Sequence, residues 1–383
     1  MLRVMHLATR LNTGGVARHL AATLPLLPCE TLLVHGSVEP HETELADAFR
    51  DAPFRRVRIP SLRRAPHPFR DAAATAAVVA AAREFRPHII HTHMAKAGLV
   101  GLLAAESAGV RVTVHTYHGD IHTGHFGAAR SALFATLQRR VRARTTAAVF
   151  VSRSLLHTIR RRVGLPRRFA IVPPAVTAPP RTMSRAEARR KLGLPENAPV
   201  VGWLGRMARV KNLPLLVEAF ARGAPRDAAL LLAGDGPRRK EAERAASRAG
   251  VADRLFMTGW LSETAAFYAA TDVTALSSRT EGFSLSAAEA LLAGVPVVTT
   301  SAAGVLDVLG ADDSGPPLER LDGVILARDE RMLAAALDAA FETLDALRAS
   351  TGAAAARLAA TCSPEIVAEA HARTYRRLTG KMI

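Results

Sequence analysis

Short apolar runs alternate with segments of helical periodicity along the whole chain. In the first half "RVMHLA" is followed by the helical pattern "VARHLAATLPLL", and "PHIIHTH" by "AGLVGLLAAESAG". The alternation resumes at "PVVGWLG" and continues through the second half. Near-continuous apolar strands between helices are typical of parallel sheets that helices cover on both faces. The pattern therefore predicts an α/β protein.

A proline-rich segment interrupts this pattern near the middle of the chain. Residues 172–184, "VPPAVTAPPRTMS", show neither helical nor strand periodicity and have the composition of a linker. We predict two doubly wound, Rossmann-like domains of similar size that face each other across a cleft, the first over residues 1–178. Ligands of such sheets bind beyond the carboxyl ends of the strands. Residues that directly follow strands are therefore the candidates for a site.

Basic residues are concentrated in the first half. Residues 1–178 contain 25 Lys+Arg and 10 Asp+Glu, a net charge of +15, whereas residues 179–383 contain 26 and 24, a net charge of +2. A basic domain attracts anionic partners such as a phospholipid surface, nucleic acid or an acidic substrate. A bias of genome composition is the alternative, because only five of the 51 basic residues are lysines.

Targeting and redox signals are sparse. The apolar runs are too short for a membrane span, and the N-terminus has neither the length nor the cleavage site of a signal peptide. Cys29 and Cys362 are the only cysteines and lie far apart, so a disulfide framework is not expected. These features predict a cytoplasmic protein.

Two cations in the second half suit a diphosphate. Arg206 follows the strand in "GWLGRMARVKNLP", and Lys211 lies just before the next helix. Charge-assisted hydrogen bonds to an anion at such a turn are worth about 1.5–3 kcal/mol each. A solvated loop is the alternative for either residue alone. Further on, the backbone of Trp260 and Leu261 follows the strand "FMTG" and can bind a flat base there.

Two glutamates flank a predicted helix N-terminus. Glu281 lies in the turn "RTEGF" after the strand "VTALSS", and Glu289 lies two turns into the helix that follows. A capping box between Ser286 and Glu289 would account for Glu289 without a ligand. The amide-rich turn suits an anion that carries hydroxyl groups. Its residues are Gly282, Phe283, Ser284 and Leu285.

The first half offers weaker candidates. Gly14 and Gly15, between the first strand and its helix, allow a phosphate to approach the backbone, although a plain tight turn explains them equally well. His118 ends the strand in "HTYHGD" and can donate to a ligand hydroxyl, or it is a structural histidine. His91 and His93 share one face of a strand end, a spacing that can support a metal, but no third ligand is evident nearby.

Together these residues resemble the retaining glycosyltransferases of family four, which have the GT-B architecture. Glu281 and Glu289 fit the E-x7-E spacing of that family, and "GGVAR", "TYHG", "GRMARVKN", "AGDGP" and "AAGVLDVL" occur in its order. The resemblance covers essentially the whole chain. It implies an acceptor-binding domain over 1–178, a nucleotide-sugar domain over 179–365, and a final helix over 366–383 that packs back on the first domain.

The resemblance also implies a role for each candidate. Glu289 would hold the ribose of a nucleoside diphosphate sugar such as a UDP-sugar, and Glu281 would contact the sugar. Arg206 and Lys211 would neutralise the diphosphate, with Gly15 closing over it. His118 would lie near the sugar hydroxyls. The family needs no metal or cofactor, and the leaving phosphate takes the acceptor proton, so no nucleophilic residue is expected.

Alternatives to this interpretation remain open. A phosphorylase or an epimerase could share the architecture, although no pyridoxal lysine is recognisable. A basic membrane-surface or nucleic-acid binding protein is the alternative outside enzymes, but it lacks aromatic interleaving and known binding motifs. The acceptor is predicted only as a hydroxyl compound. A lipid-linked or phosphorylated acceptor at the inner membrane face suits the basic half, and a soluble secondary-metabolite core is the alternative.

Overall fold

The computed structural model of the protein describes residues 1–39, 42–119, 128–311 and 314–380. It divides into two compact units. Within the described residues, unit 1 comprises residues 1–175 and 362–380, and unit 2 comprises residues 176–361. No helix or strand occurs between Ile171 and Arg185, the segment that the sequence indicates as a linker.

Unit 1 contains a seven-stranded parallel sheet in the order β3-β2-β1-β4-β5-β6-β7. Its strands are Arg3–Ala8 (β1), Glu30–His35 (β2), Arg55–Arg58 (β3), Ile89–His93 (β4), Val112–Tyr117 (β5), Ala147–Phe150 (β6) and Phe169–Ile171 (β7). Its helices in this part of the chain are Gly15–Thr23 (α1), Pro68–Phe85 (α2), Ala95–Ala108 (α3), Ala128–Arg144 (α4) and Arg153–Val163 (α5), with 3-10 helices at Leu24–Leu26 and Asp47–Phe49.

Unit 2 repeats the architecture in the order β10-β9-β8-β11-β12-β14-β13. Its strands are Val200–Leu204 (β8), Ala229–Ala233 (β9), Leu255–Gly259 (β10), Val273–Leu276 (β11), Val297–Thr300 (β12), Leu318–Leu321 (β13) and Val324–Ala327 (β14). Its helices are Arg185–Leu192 (α6), Leu213–Gly223 (α7), Arg239–Arg248 (α8), Ala265–Ala270 (α9), Leu285–Leu292 (α10), Ala303–Leu309 (α11), Leu333–Glu342 (α12) and Leu344–Cys362 (α13), with 3-10 helices at Arg209–Lys211, Ala252–Arg254 and Glu330–Met332.

The last helix, Pro364–Thr379 (α14), belongs to unit 1. Its residues Val367 and Tyr375 are fully buried in the same core cluster as Val4 and Val114 of the sheet. Because α14 packs beside α1, these two helices cover one face of the unit 1 sheet. The chain therefore returns to its first unit after completing the second.

Edge strands are the elements that the hydrophobic pattern misses. β3 and β7 lie at the two edges of the first sheet and are largely exposed; β3 contains three arginines, and β7 is only three residues long. β13 is an antiparallel edge strand that contains Glu319 and Arg320, which corrects the expectation of purely parallel sheets. Short, charged strands at sheet edges limit pairing with other chains. None of the described helices combines the length and apolarity that crossing a bilayer would require.

Candidate functional site

The sheet order of unit 2 marks the place for a ligand. The chain builds outward from β8 through β9 and β10 on one side, and from β11 through β12 on the other. β8 and β11 are therefore the neighbouring strands at which the winding direction reverses, with Val273 paired to Val201. In doubly wound sheets the ligand crevice lies beyond the carboxyl ends of the strands at this reversal. Lys211 lies in the loop after β8 and Glu281 in the loop after β11.

Hydrogen bonds connect these two loops. The Ser277 hydroxyl donates to the carbonyl oxygens of Lys211 at 2.8 Å and Asn212 at 3.0 Å. The backbone amide of Arg279 donates to the carbonyl of Val210 at 2.8 Å. On the other side, the Thr300 hydroxyl at the end of β12 donates to the Ser278 carbonyl at 2.8 Å. The backbone that carries the candidate side chains is consequently held in place by strand ends.

Lys211 and Glu281 form an ion pair. The Lys211 Nζ atom lies 2.5 Å from Glu281 Oε1, and the side chains are 19% and 10% exposed. The Ser278 hydroxyl donates to the same carboxylate oxygen at 2.8 Å. The charges of the pair cancel, but the ammonium group has three donors, so Lys211 can still bind an anion. The structure thus brings together two of the predicted residues that lie 70 positions apart.

The turn that carries Arg206 is fixed by the glycine turn after β9. Gly205 donates its amide to the Ala233 carbonyl at 2.9 Å, and Met207 donates to the Asp235 carbonyl at 2.9 Å. A Cβ atom on Gly234 would lie 1.8 Å from the Gly205 carbonyl oxygen, so this close approach requires glycine. The "AGDGP" turn therefore acts as a support that sets where the backbone of Arg206 runs.

Glu289 is buried in the second turn of α10 and is 8% exposed. The Tyr268 hydroxyl donates to its Oε2 atom at 3.1 Å and also lies 3.2 Å from the carbonyl oxygen of Ser286. The capping-box alternative is wrong, because the N-cap of α10 is Ser284 and makes no side-chain cap bond. The Glu289 carboxylate therefore does not cap its own helix, and its role in binding hydroxyl groups stays a prediction.

The N-terminus of α10 packs against α11. A Cβ atom on Gly304 would lie 2.7 Å from the carbonyl oxygen of Glu281 and 2.7 Å from the carbonyl carbon of Gly282. The first turn of α11 therefore approaches the turn that precedes α10 to a distance that only glycine allows. Ser284 is buried, and its hydroxyl oxygen has no hydrogen-bond partner among the described residues. The predicted binding turn is the set Gly282, Phe283, Ser284 and Leu285.

The remaining predicted residue pair of unit 2 lies nearer the sheet edge. Trp260 and Leu261 are partly exposed and follow β10, which is separated from β8 by β9. The Gly259 carbonyl accepts a hydrogen bond from the Gly234 amide at 2.7 Å, so the turn after β10 is joined to the turn after β9. The role of Trp260 and Leu261 in binding a base stays a prediction.

In unit 1 the glycine pair begins α1. Gly14 is the N-cap residue, with φ 176 and no side-chain cap bond, and Gly15 is the first helical residue and exposed. β1 is the inner strand of this sheet that neighbours β4, at which the winding direction of unit 1 reverses. The pair therefore occupies the position in unit 1 that corresponds to the loop after β8 in unit 2. A role in phosphate binding stays a prediction.

His118 lies directly after β5 and ends a chain of imidazoles. Its Nε2 atom is 3.0 Å from His93 Nδ1, and His93 Nε2 is 3.1 Å from His6 Nδ1. Burial lowers the pKa of His118 to about 3 and that of His6 to about 3, with a further contribution from neighbouring imidazoles. These histidines are therefore neutral at neutral pH, and each has one N–H and one lone pair.

For a metal site at His91 and His93, His6 would be the third ligand, which the sequence did not indicate. Among the described residues, His6, His91 and His93 have ligand atoms within 4.8 Å of one another. However, His91 already uses both ring nitrogens, with Nδ1 2.6 Å from the Tyr375 hydroxyl and Nε2 2.7 Å from the Thr116 hydroxyl. A metal would have to break one of these buried bonds, so the geometry favours a hydrogen-bond network.

Sequence reasoning missed residues that support the candidates. Tyr268, Ser278 and Gly304 contact Glu289 or the Glu281 turn, and Tyr375 orients His91 from a distance of 284 positions. The rarity of tyrosine, with three in the chain, is the one signal that singles out Tyr268 and Tyr375. The serine and glycine have no distinguishing pattern, because their roles depend on which loops meet.

Comparisons with known proteins match both halves of the chain. The pattern of the glycosyl transferases group 1 matches residues 184–356, and the pattern of Glycosyltransferase Family 4 matches residues 13–178. A D-inositol 3-phosphate glycosyltransferase of Geodermatophilus obscurus is 31% identical over 333 residues, which are 75% of this chain and 72% of that protein. The chain belongs to glycosyltransferase family 4. The resemblance inferred from the sequence is confirmed.

A further relative and a solved structure are also similar to this chain of family 4. The 2-deoxystreptamine N-acetyl-D-glucosaminyltransferase of Streptomyces fradiae is 30% identical over 276 residues, which are 67% of this chain and 65% of that protein. The crystal structure of Anabaena HepE in complex with UDP-glucose aligns with a TM-score of 0.81 and 19% identity, over 98% of this chain and 100% of that chain. This likeness confirms the predicted GT-B fold class.

Proposed function

We propose that this protein transfers a sugar from a nucleoside diphosphate sugar to an acceptor hydroxyl. The observation that carries the proposal is the pairing of Lys211 with Glu281 at the reversal of the unit 2 sheet, in a chain of family 4. A cation can bind the phosphate of such a donor, and a carboxylate can accept hydrogen bonds from the sugar hydroxyls; this pair provides both. A phosphorylase or epimerase assignment lacks comparable support.

The donor site in this proposal is built from unit 2. Arg206 and Lys211 neutralise the diphosphate together with the amides before α10, and Glu289 binds the ribose hydroxyls. Glu281 accepts hydrogen bonds from the sugar. Because Lys211 is paired with Glu281, donor binding redistributes the lysine donors between the carboxylate and the phosphate rather than adding an isolated charge.

The proposed reaction retains the anomeric configuration and needs no metal. The acceptor hydroxyl attacks the anomeric carbon on the face that the diphosphate leaves, so the new C–O bond forms as the sugar–phosphate bond breaks. The hydroxyl proton passes to the departing phosphate oxygen. Arg206, Lys211 and the helix N-terminus stabilise the negative charge that develops there, the task that a divalent cation performs in other transferases.

A nucleotide screen tests the donor site. We expect one of UDP, GDP, ADP and TDP to raise the melting temperature, because binding to the native state stabilises it. Lys211→Met and Glu289→Ala should each abolish the shift, whereas Lys240→Met, which removes an exposed lysine on α8, should leave it unchanged. Absence of a shift with all four nucleotides, or equal shifts in all variants, would contradict the proposal.

The acceptor that we propose is a hydroxylated cyclohexane ring. The relatives named above are a 2-deoxystreptamine and an inositol 3-phosphate transferase, and both acceptors are cyclitols. The net charge of +15 over residues 1–178 favours the phosphorylated one by long-range attraction. Mass spectrometry of products from both acceptors tests this choice, and NMR of the product anomeric proton tests retention. An inverted product would exclude the mechanism.

Association with an anionic membrane surface is a second proposal, and a surface feature favours it. Phe69 at the start of α2 is 82% exposed, and Arg63, Arg64 and Arg70 lie close to it in sequence. An exposed aromatic among basic residues suits the interface of an anionic bilayer. Co-sedimentation with phosphatidylglycerol vesicles should be strong at low salt and weak in Phe69→Ser. Absence of binding at low salt would reject it, and the predicted cytoplasmic location stays a prediction.

A further inference from the structure

The chain of three imidazoles in unit 1 has two possible directions with opposite chemistry at its end. The links are His6 Nδ1 to His93 Nε2 and His93 Nδ1 to His118 Nε2. In one direction each ring donates outward, and His118 carries its proton on Nδ1. In the other direction each ring donates inward, and His118 presents a bare lone pair at Nδ1. The first arrangement makes His118 a donor toward a ligand, and the second makes it an acceptor.

The ring geometry supports genuine N–H···N bonds at both links. The centroids of His6 and His93 are 5.4 Å apart with planes 13° from parallel, and those of His93 and His118 are 5.3 Å apart at 37°. For nitrogens about 3 Å apart, such centroid separations arise when the rings meet edge to edge, with the proton between them. His91 stacks on His93 at 4.4 Å and is itself fixed by Thr116 and Tyr375, which holds the His93 ring plane.

The inner end of the chain decides the direction. His6 is 2% exposed, and within the described part of the chain no group forms a hydrogen bond with its buried Nε2 atom. Donation inward would place the last N–H on this atom, and orphaned buried N–H groups are rare in proteins. Donation outward leaves only a lone pair there. At the other end His118 is partly exposed, and no partner of its Nδ1 atom lies among the described residues, so an N–H there can reach a ligand.

We propose that His6 and His93 are positioning residues that lock His118 in the Nδ1–H tautomer, so that His118 donates to a substrate oxygen and cannot serve as a base. The inference deepens the proposed function, on which it rests for the identity of the ligand alone. It assigns a role to His6 and His93, which act through His118 and do not themselves contact the substrate. It also assigns the hydrogen bond its direction: the ligand atom opposite His118 accepts.

The tautomer can be measured on the substrate-free protein. Long-range ¹H–¹⁵N correlation spectra of protein labelled with ¹⁵N-histidine distinguish a protonated from a bare ring nitrogen, and His118→Gln identifies the His118 signals. We expect a protonated Nδ1 and a bare Nε2 in the wild type. A protonated Nε2 would overturn the proposal without any variant having to fold. Because no nucleotide is present, this result is independent of the donor-site screen.

Two substitutions of His93 then separate positioning from packing. His93→Leu removes the donor to His118 Nε2, so His118 should change from predominantly Nδ1–H to predominantly Nε2–H. His93→Asn keeps an amide donor near the former Nδ1 position and should restore the wild-type tautomer. His115→Asn is the matched control, since it removes a buried imidazole that pairs with Thr92 and does not belong to the chain of imidazoles. An unchanged tautomer in His93→Leu would overturn the proposal.

Addition of Zn²⁺ provides a further test, because His6, His91 and His93 could alternatively ligate a cation. In the proposed network the spectra of metal-free and Zn²⁺-treated protein are the same. Stoichiometric Zn²⁺ binding that shifts the His6 and His93 signals would overturn the proposal, since ligation would consume the lone pairs through which the imidazoles are linked.

Discussion

The two units share one architecture but solve the problem of buried polar groups differently. Unit 1 buries imidazoles, whereas residues 176–361 contain no histidine and bury charged groups. The clearest case in unit 2 is Asp272, which is paired with Arg185, Arg189 and Arg348. Neutral imidazoles avoid the desolvation of a charge, and paired ions tolerate it through mutual attraction. The same fold is thus compatible with either solution, and the two units should respond differently to acid.

Acidification should produce the largest difference between the units. Burial lowers the pKa of His6 to about 3 and those of His115 and His371 to about 4, below the value near 6.5 of an unfolded histidine. The unfolded chain therefore binds more protons below about pH 6.5, and stability falls as the pH falls. Each imidazole that stays neutral in the folded state lowers the free energy of unfolding by about 2 kcal/mol between about pH 7.5 and about pH 5.

The two tryptophans provide the measurement. Trp203 and Trp260 both lie in unit 2, so their fluorescence reports on that unit alone, whereas far-ultraviolet circular dichroism reports on both. We expect acid to reduce the dichroism signal before the fluorescence changes. Coincident transitions, or an earlier change in fluorescence, would contradict the idea that the histidine-rich unit is the acid-sensitive one.

Removal of the central carboxylate should have the next largest effect, confined to unit 2. Asp272→Ala leaves Arg189, which is 1% exposed, without its carboxylate partner and removes the acceptor of the Val200 amide. Breaking a buried ion pair in this way costs about 3–5 kcal/mol. Urea unfolding followed by tryptophan fluorescence measures it. Asp338→Ala, at an exposed carboxylate on α12, is the control and should leave the midpoint unchanged; equal midpoints for both variants would contradict the prediction.

Loss of a single hydroxyl group in unit 1 should reduce stability by less than Asp272→Ala does. Tyr375→Phe removes the partner of His91 Nδ1 and leaves a buried ring nitrogen unpaired, at a cost of about 1–3 kcal/mol. Urea unfolding followed by far-ultraviolet dichroism measures the change. Tryptophan fluorescence of the same samples is the internal control and should keep its wild-type midpoint. A shift of the fluorescence midpoint alone would contradict the assignment of α14 to unit 1.

The corresponding loss of a tyrosine hydroxyl in unit 2 should have the smallest effect on stability, and it should also weaken nucleotide binding. Tyr268→Phe removes a hydrogen-bond donor to Glu289, whose carboxylate keeps partial access to water. We expect a loss of stability of about 1 kcal/mol and a several-fold weaker affinity for the nucleotide found in the screen, measured by isothermal titration calorimetry. Unchanged affinity would show that the tyrosine does not position Glu289 for a ligand.

Much of the candidate site in unit 2 was accessible from the sequence. Arg206, Lys211 and Glu281 follow strands whose apolar runs are unmistakable, and the carboxyl ends of parallel strands share one edge of the sheet. The pairing of Lys211 with Glu281 could not be predicted, because it depends on which strands are neighbours. Glu289 shows the opposite problem: a local pattern offered a capping box, and the tertiary contact with Tyr268 replaced it.

The sequence alone determined the class of fold, the linker and the strand ends, because hydrophobic periodicity and proline are local signals that the backbone must obey. Only the tertiary structure decided that His6 joins His93 and His118, that Tyr375 returns to His91, and that Ser277 fastens one loop to another. Hydrogen bonds between distant residues depend on strand order and register. No local propensity encodes strand order or register, because both follow from the burial of the whole sheet.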